Sequence, residues 1–143
     1  MFKISSCIGV AVVALSACVP VPNVRYYAPA VTGKVMANGL AVRNAEVIVT
    51  SQFAEEVRKV ATDSEGHFST EAIKKLFFTA TLIGDPLYGY TITIVVADQK
   101  YEGLSEAYVG HPPKQLDIQC DLSTPIQLHS RKRYCNITGS KDG

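Results

Sequence analysis

The chain lacks any excess of one sign of charge. Its 14 Lys and Arg against 13 Asp and Glu leave a formal charge of +1 in 143 residues. That balance excludes a strong electrostatic pull toward nucleic acid, whose binding rests on concentrated basic surface. No apolar run approaches the ~20 residues that a membrane-spanning helix needs. Glycine (10) and proline (7) follow no period, which excludes collagen-like and repeat architectures. No Gly-x-Ser-x-Gly elbow, phosphate loop or Rossmann fingerprint occurs. The cysteines and histidines show no Cys-x-x-Cys or His-x-x-x-His spacing, so no metal or cofactor site is expected. What is present is 47% hydrophobic residues with 19% charged. That excludes a disordered chain and suits one small domain at roughly 100–200 residues per domain.

Residues 1–18 read MFKISSCIGVAVVALSAC. Lys3 forms a short positive region, and Ile4 to Leu15 is uncharged and mostly apolar. This run is too short to span a bilayer but fits the ~7–15 residues of a signal-peptide core. It ends in Leu15-Ser16-Ala17-Cys18, an apolar residue and two small ones before a cysteine. The tetrapeptide resembles the bacterial lipobox. That resemblance implies a cleaved signal peptide over 1–17, diacylglycerol on the Cys18 thiol and a third acyl chain on its freed amine. At about 0.8 kcal/mol per buried methylene, several acyl chains anchor durably. Val19, rather than Asp, implies an outer-membrane lipoprotein facing the periplasm. The competing reading is an ordinary cleaved signal in which Cys18 is incidental.

Of the four cysteines, Cys7 leaves with the signal and Cys18 takes the lipid. Cys120 and Cys135 remain, an even number in an oxidising compartment, and predict one disulfide. It would close a loop of about 15 residues, worth roughly 3 kcal/mol on chain entropy. Two buried thiols are the alternative. With Lys3 also removed, the two signs of charge are equal, so the membrane is reached through lipid rather than charge.

Residues 18–31 read as the lipidated cysteine and a linker. Pro20, Pro22 and Pro29 suppress helix and favour an extended, polyproline-like tether. Docking of Tyr26 and Tyr27 onto the domain is the other reading. Beyond the linker, short apolar stretches alternate with turn residues. The expected strands are Val31–Met36, Ala45–Val49, Val57–Thr62, His67–Thr70, Tyr90–Ala97, Tyr101–Val109, Gln115–Cys120, Pro125–Ser130 and Arg133–Ile137. Asn38-Gly39, Asp63–Gly66 and Asp98-Gln99 supply turns. About seven to nine strands at this spacing predict an all-β sandwich. Ile73, Leu76, Phe77 and Ala80 fall at helical spacing, whereas the adjacent phenylalanines and Thr79-Ala80-Thr81-Leu82 favour a strand, so one short helical turn near residues 71–77 followed by a strand is expected.

Residues 32–70 carry a second resemblance. TGKVMANGLAVRNAEVIVT is followed, after a variable loop, by VATDSEGHFST. Gly33, Val35, Gly39, Val42, Ala45 and Val47 fit the first half of the pattern of the carboxypeptidase regulatory-like domain. Thr62, Asp63, Gly66 and Phe68 fit its Thr-Asp-x-x-Gly-x-Phe hairpin. Ala41 and Asn44 depart from it, standing where the family often has Pro and Gly. The resemblance implies a transthyretin-like (prealbumin-like) β-sandwich over 32–138, with a flexible tail at 139–143 and no activity of its own. One enzyme of that fold, the 5-hydroxyisourate hydrolase, relies on His and Arg residues and a Tyr-Arg-Gly-Ser ending. This chain lacks the Tyr-Arg pair before Gly139-Ser140.

The remaining chemistry-bearing residues are sparse. His67, His111 and His129 are scattered, and Asp63-Ser64-Glu65-Gly66 lacks the spaced ligands of a calcium loop. Asn136-Ile137-Thr138 is a sequon without meaning in a bacterial lipoprotein. The candidate partner surface comprises Tyr88, Tyr90, His111 and the basic run Arg131-Lys132-Arg133. Aromatic, Gly- and Pro-bearing loops at a sandwich end suit recognition. The expectation is a non-enzymatic binding or scaffold module, lipid-anchored through Cys18 and carrying an envelope protein partner. The alternative is an inhibitor or immunity-type lipoprotein that neutralises a periplasmic effector.

Overall fold

β-Branched and aromatic residues in period-two alternation build almost the whole molecule. A computed structural model describes residues 21–79 and 85–142, and no helix occurs among them. The strands are β1 (Val21–Ala28), β2 (Ala30–Ala37), β3 (Leu40–Ala41), β4 (Glu46–Ser51), β5 (Val57–Ala61), β6 (His67–Thr70) and β7 (Ile73–Thr79). They continue as β8 (Leu87–Val96), β9 (Gln99–Val109), β10 (Gln115–Asp121), β11 (Ile126–Leu128), β12 (Arg131–Arg133) and β13 (Cys135–Lys141).

Nine of these strands form two facing sheets. One runs β6-β2-β10-β13, with the short β3 beside the far end of β2, and the other runs β5-β4-β8-β9. The β2–β10 pair is parallel, from Ala30 opposite Gln115 to Met36 opposite Asp121. The other strand pairs are antiparallel. Val31, Val35, Leu116 and Ile118 of the first sheet meet Val47, Val49, Ile92 and Ile94 of the second, all fully or nearly fully buried. Burying each such side chain stabilises by roughly 1.5–3 kcal/mol. The chain is therefore an all-β sandwich, as its patterning predicts.

The family-like residues sit in turns and core. Asn38 and Gly39 both take positive φ, 51° and 75°, as an Asn-Gly hairpin turn requires, and Asn44 does so at 57°. The buried Thr62 hydroxyl accepts from the Ala45 amide (2.9 Å) and donates to the Val42 carbonyl (2.6 Å). The Asp63 carboxylate accepts from the amides of Glu65 and His67 at 2.9 and 2.8 Å. Gly66, at φ 79°, presses against β2 so closely that a Cβ would lie 2.5 Å from the Val35 carbonyl oxygen.

Four expectations are corrected. The proline-bearing segment is no free tether from residue 21 onward, because β1 pairs antiparallel with β7 along its length. Pro22 is tolerated because a two-stranded ribbon leaves each strand an open edge. The same pairing removes the helical turn expected near 71–77. In the extended backbone Ile73 is buried while Leu76 and Phe77 fall on opposite faces, both exposed. The tail begins later than residue 139, since Gly139, Ser140 and Lys141 pair with β10. The β8–β9 turn is Ala97-Asp98, one residue earlier than expected.

Candidate functional site

The predicted surface residues do not form one patch as they stand. Tyr90 is 2% exposed and belongs to the core, so it leaves the surface altogether. It lies on the inward face of β8 with Ile92 and Ile94, and its ring stacks on Tyr88 at 6.2 Å. Tyr88 is half-buried and its ring lies 6.0 Å from that of Tyr108 on β9. His111 is exposed in the loop after β9, while Arg131 and Lys132 are exposed and Arg133 half-buried on β12. His67 and His129 occupy two further places, one on β6 and one in the β11–β12 turn, so the histidines do not converge.

The β11–β12 hairpin brings the two halves together. It folds alongside β9, fixed where the Tyr134 amide donates to the Glu102 carbonyl at 3.0 Å. Between hairpin and strand lies a cleft of about 390 Å³, lined on the β9 side by Glu102, Glu106 and Tyr108 and on the other by His129, Arg131 and Arg133. Tyr108 therefore links the Tyr88 aromatic stack to the basic run.

The charges in this cleft are not spent on each other. Among the described residues, none of Glu102, Glu106, Arg131 and Arg133 takes part in an ion pair. The Nε of Arg133 is buried with no hydrogen-bond acceptor. The Glu106 carboxylate, as hydrogen-bond acceptor and as charge, raises the Tyr108 phenol above its ordinary value. Burial raises Tyr88 and Tyr90, with Glu106 adding to both. Of the two serines lining the cleft, Ser105 and Ser130, the Ser105 hydroxyl meets that of Thr91 at 3.3 Å rather than a base. Two guanidinium groups facing two carboxylates and a phenol suit recognition of a polar, mixed-charge segment.

A shallower depression of about 500 Å³ lies on the outer face of the first sheet, around Thr32, Lys34 and Asp117. There the Asp117 carboxylate already accepts from Thr32 and, at 3.4 Å, from Gln115. Among the described residues no group of His, Cys, Asp and Glu is placed to hold a metal ion. Cys120 and Cys135 stand directly opposite each other on β10 and β13, Cα atoms 4.0 Å apart, and are joined as a disulfide. Cys18 lies outside the described residues.

Sequence reasoning missed Glu102, Glu106, Tyr108 and His129. Each looks like an ordinary strand or turn residue until the hairpin folds back along β9. The basic run was visible, but what it faces was not.

No family model matches the chain, and no curated protein is similar to it. Among solved structures it is similar to the 5-hydroxyisourate hydrolase of Klebsiella pneumoniae, with 11% identity over 71% of this chain and 93% of that chain and a TM-score of 0.37. Likeness at that level transfers no activity, and the sandwich stands on its own strand order.

Proposed function

We propose that the chain is a non-enzymatic, lipid-anchored binding module of a bacterial outer membrane, a transthyretin-like domain that holds a protein partner in the periplasm. The cleft between β9 and the β11–β12 hairpin is its recognition site. The observation that carries this reading is that Glu102, Glu106, Arg131 and Arg133 line one cleft and, among the described residues, none of them is spent in an ion pair. A hydrogen bond from one of these guanidinium groups to a partner carbonyl or carboxylate entering the cleft contributes about 1.5–3 kcal/mol. The anchor rests on the Leu15-Ser16-Ala17-Cys18 resemblance, and the transthyretin-like assignment on the residue pattern of 32–70 together with the five-stranded and four-stranded sheets.

Pull-down from envelope extracts with wild type and with the pair R131E and R133E tests the reading. Wild type retains an envelope protein and the variant loses it, while both melt alike. Equal retention by both removes the cleft from the account. Should the retained protein be a toxic hydrolase rather than a structural envelope component, the module is an inhibitor instead.

A further inference from the structure

The β1–β7 ribbon leaves an apolar surface with no partner among the described residues. Of the twelve exposed large hydrophobic side chains among the described residues, four (Val24, Leu76, Phe77 and Phe78) lie on this ribbon. Cross-strand register puts Pro22 opposite Phe78 and Val24 opposite Leu76, so these four share one face. Phe78 and Leu76 are each 60% exposed, and Phe77 covers the other face at 47%. Leu87 and Val109, paired at the ends of β8 and β9, extend the patch. The ribbon is fastened to this end of the sandwich by the Arg25 guanidinium, which donates to the Leu87 carbonyl at 2.9 Å, and by Lys75, which donates to the Ala54 carbonyl at 2.9 Å.

Cations stand behind the apolar tip. Lys74 lies opposite Tyr26 on the face of Leu76 and Phe78, one step nearer the sandwich. The Lys114 ammonium approaches the Tyr26 ring at 6.0 Å. An apolar tip backed by aromatic rings and lysines is the order of groups met on passing from acyl chains through headgroups to water.

The position of the ribbon in the chain selects the occupant. β1 begins at Val21, three residues after Cys18. Three residues reach at most about 10 Å, and Phe78 pairs one residue further along. Headgroups occupy roughly 5–8 Å on each side of the hydrocarbon core. We infer that the β1–β7 ribbon lies in the headgroup layer of the membrane that holds Cys18, its Phe78–Leu76 face dipped into the acyl boundary, so that the sandwich is held in one orientation rather than swinging on a tether. This inference rests on the lipid-anchored reading for the nearness of bilayer and ribbon.

The chain contains no tryptophan, so a single introduced indole is a clean reporter. Phe78→Trp sits at the tip, and Leu40→Trp sits on β3, beside the other end of β2, as a control. Each full-length protein, processed in its native host, is purified from membranes and reconstituted in phosphatidylethanolamine–phosphatidylglycerol vesicles with or without brominated acyl chains. Acylation is read by mass spectrometry. For the Phe78→Trp protein, a blue-shifted emission and a loss of intensity in brominated vesicles are expected, with the Leu40→Trp control unchanged. An acylated Phe78→Trp protein whose emission is neither shifted nor quenched overturns the inference and leaves the anchor standing. Shifted emission without bromine quenching, in a protein that crosslinks as a dimer, overturns it in favour of a second copy of the chain. An unacylated protein still quenched on added vesicles overturns the anchor alone. One neither acylated nor quenched overturns both.

Discussion

Gly103 and Cys135 touch across the sandwich: a Cβ on Gly103 would stand 2.7 Å from the Cys135 sulfur and 3.0 Å from the Ile92 carbonyl oxygen. Gly103 is the extra residue of a bulge in β9, between Leu104 opposite Ile92 and Glu102 opposite Thr93. The disulfide belongs to one sheet and the bulge to the other, so the crosslink is also a piece of inter-sheet packing. Gly103→Ala should destabilise by about 1–3 kcal/mol. In a chain that also carries C120A and C135A the penalty should shrink, because the obstructing sulfur is gone. Urea denaturation of the four variants closes the cycle, and an undiminished penalty would mean that the Ile92 backbone is the obstacle.

Removing the disulfide by replacing both cysteines with alanine should cost about 2–4 kcal/mol. On the proposed lipid-anchored reading, membrane attachment should not change, since Cys18 takes no part in the crosslink. Thermal melting and fractionation of the same preparations check both halves. Mass spectrometry of the unreduced protein should find no free thiol at either position.

The β8–β9 turn places Ala97 at φ 48° and Asp98 at φ 65°. Alanine gains nothing there that glycine or asparagine would not supply with less strain. Ala97→Gly or Ala97→Asn should therefore stabilise by roughly 0.4–1 kcal/mol. A lower melting temperature for both would show that the turn owes its shape to something other than residue preference.

The Asp63 carboxyl is held below its ordinary value, first by the His67 amide and then, against the opposing effect of desolvation, by the Glu65 amide. A depressed carboxylate adds stability that is fully present above the unfolded value, near 3.9, and is lost as pH falls through the folded one. Wild type should thus be more stable than Asp63→Asn at neutral pH, and the gap should close in acid. A gap that does not vary with pH would assign the difference to the hydrogen bonds alone.

Cys18→Ser should abolish acyl labelling and move the protein from the membrane fraction to the soluble one. Sedimentation with membranes by the variant, together with no palmitate uptake by wild type, would overturn the lipoprotein reading.

The sandwich core was legible because its strands alternate. Val47 and Val49 point inward between Glu46, Ile48 and Thr50, and the turns at Asn38-Gly39 and Asp63–Gly66 carry residues chosen for their backbone. The ribbon was not legible. Pro22 argues against a strand when read locally, and Ile73, Leu76 and Phe77 satisfy helical spacing, so each segment is misread until the other is placed beside it. The cleft was half legible. Arg131 and Arg133 stand out as a basic run, but Glu106 and Tyr108 have no local signature, and Tyr90 reads as a surface aromatic although it fills the core.

The parallel pairing of β2 with β10 has a consequence for how the chain is made. Thr32 and Asp117, partners across that pair, are 85 residues apart. Until β10 has emerged, β2 has only the short β3 and β6 beside it, and Leu116, Ile118 and Cys120 are missing from the core. Contacts of such long range form slowly and late. The second sheet, complete by Val109, can thus form before the first, whose closure waits for the arrival of the last strands.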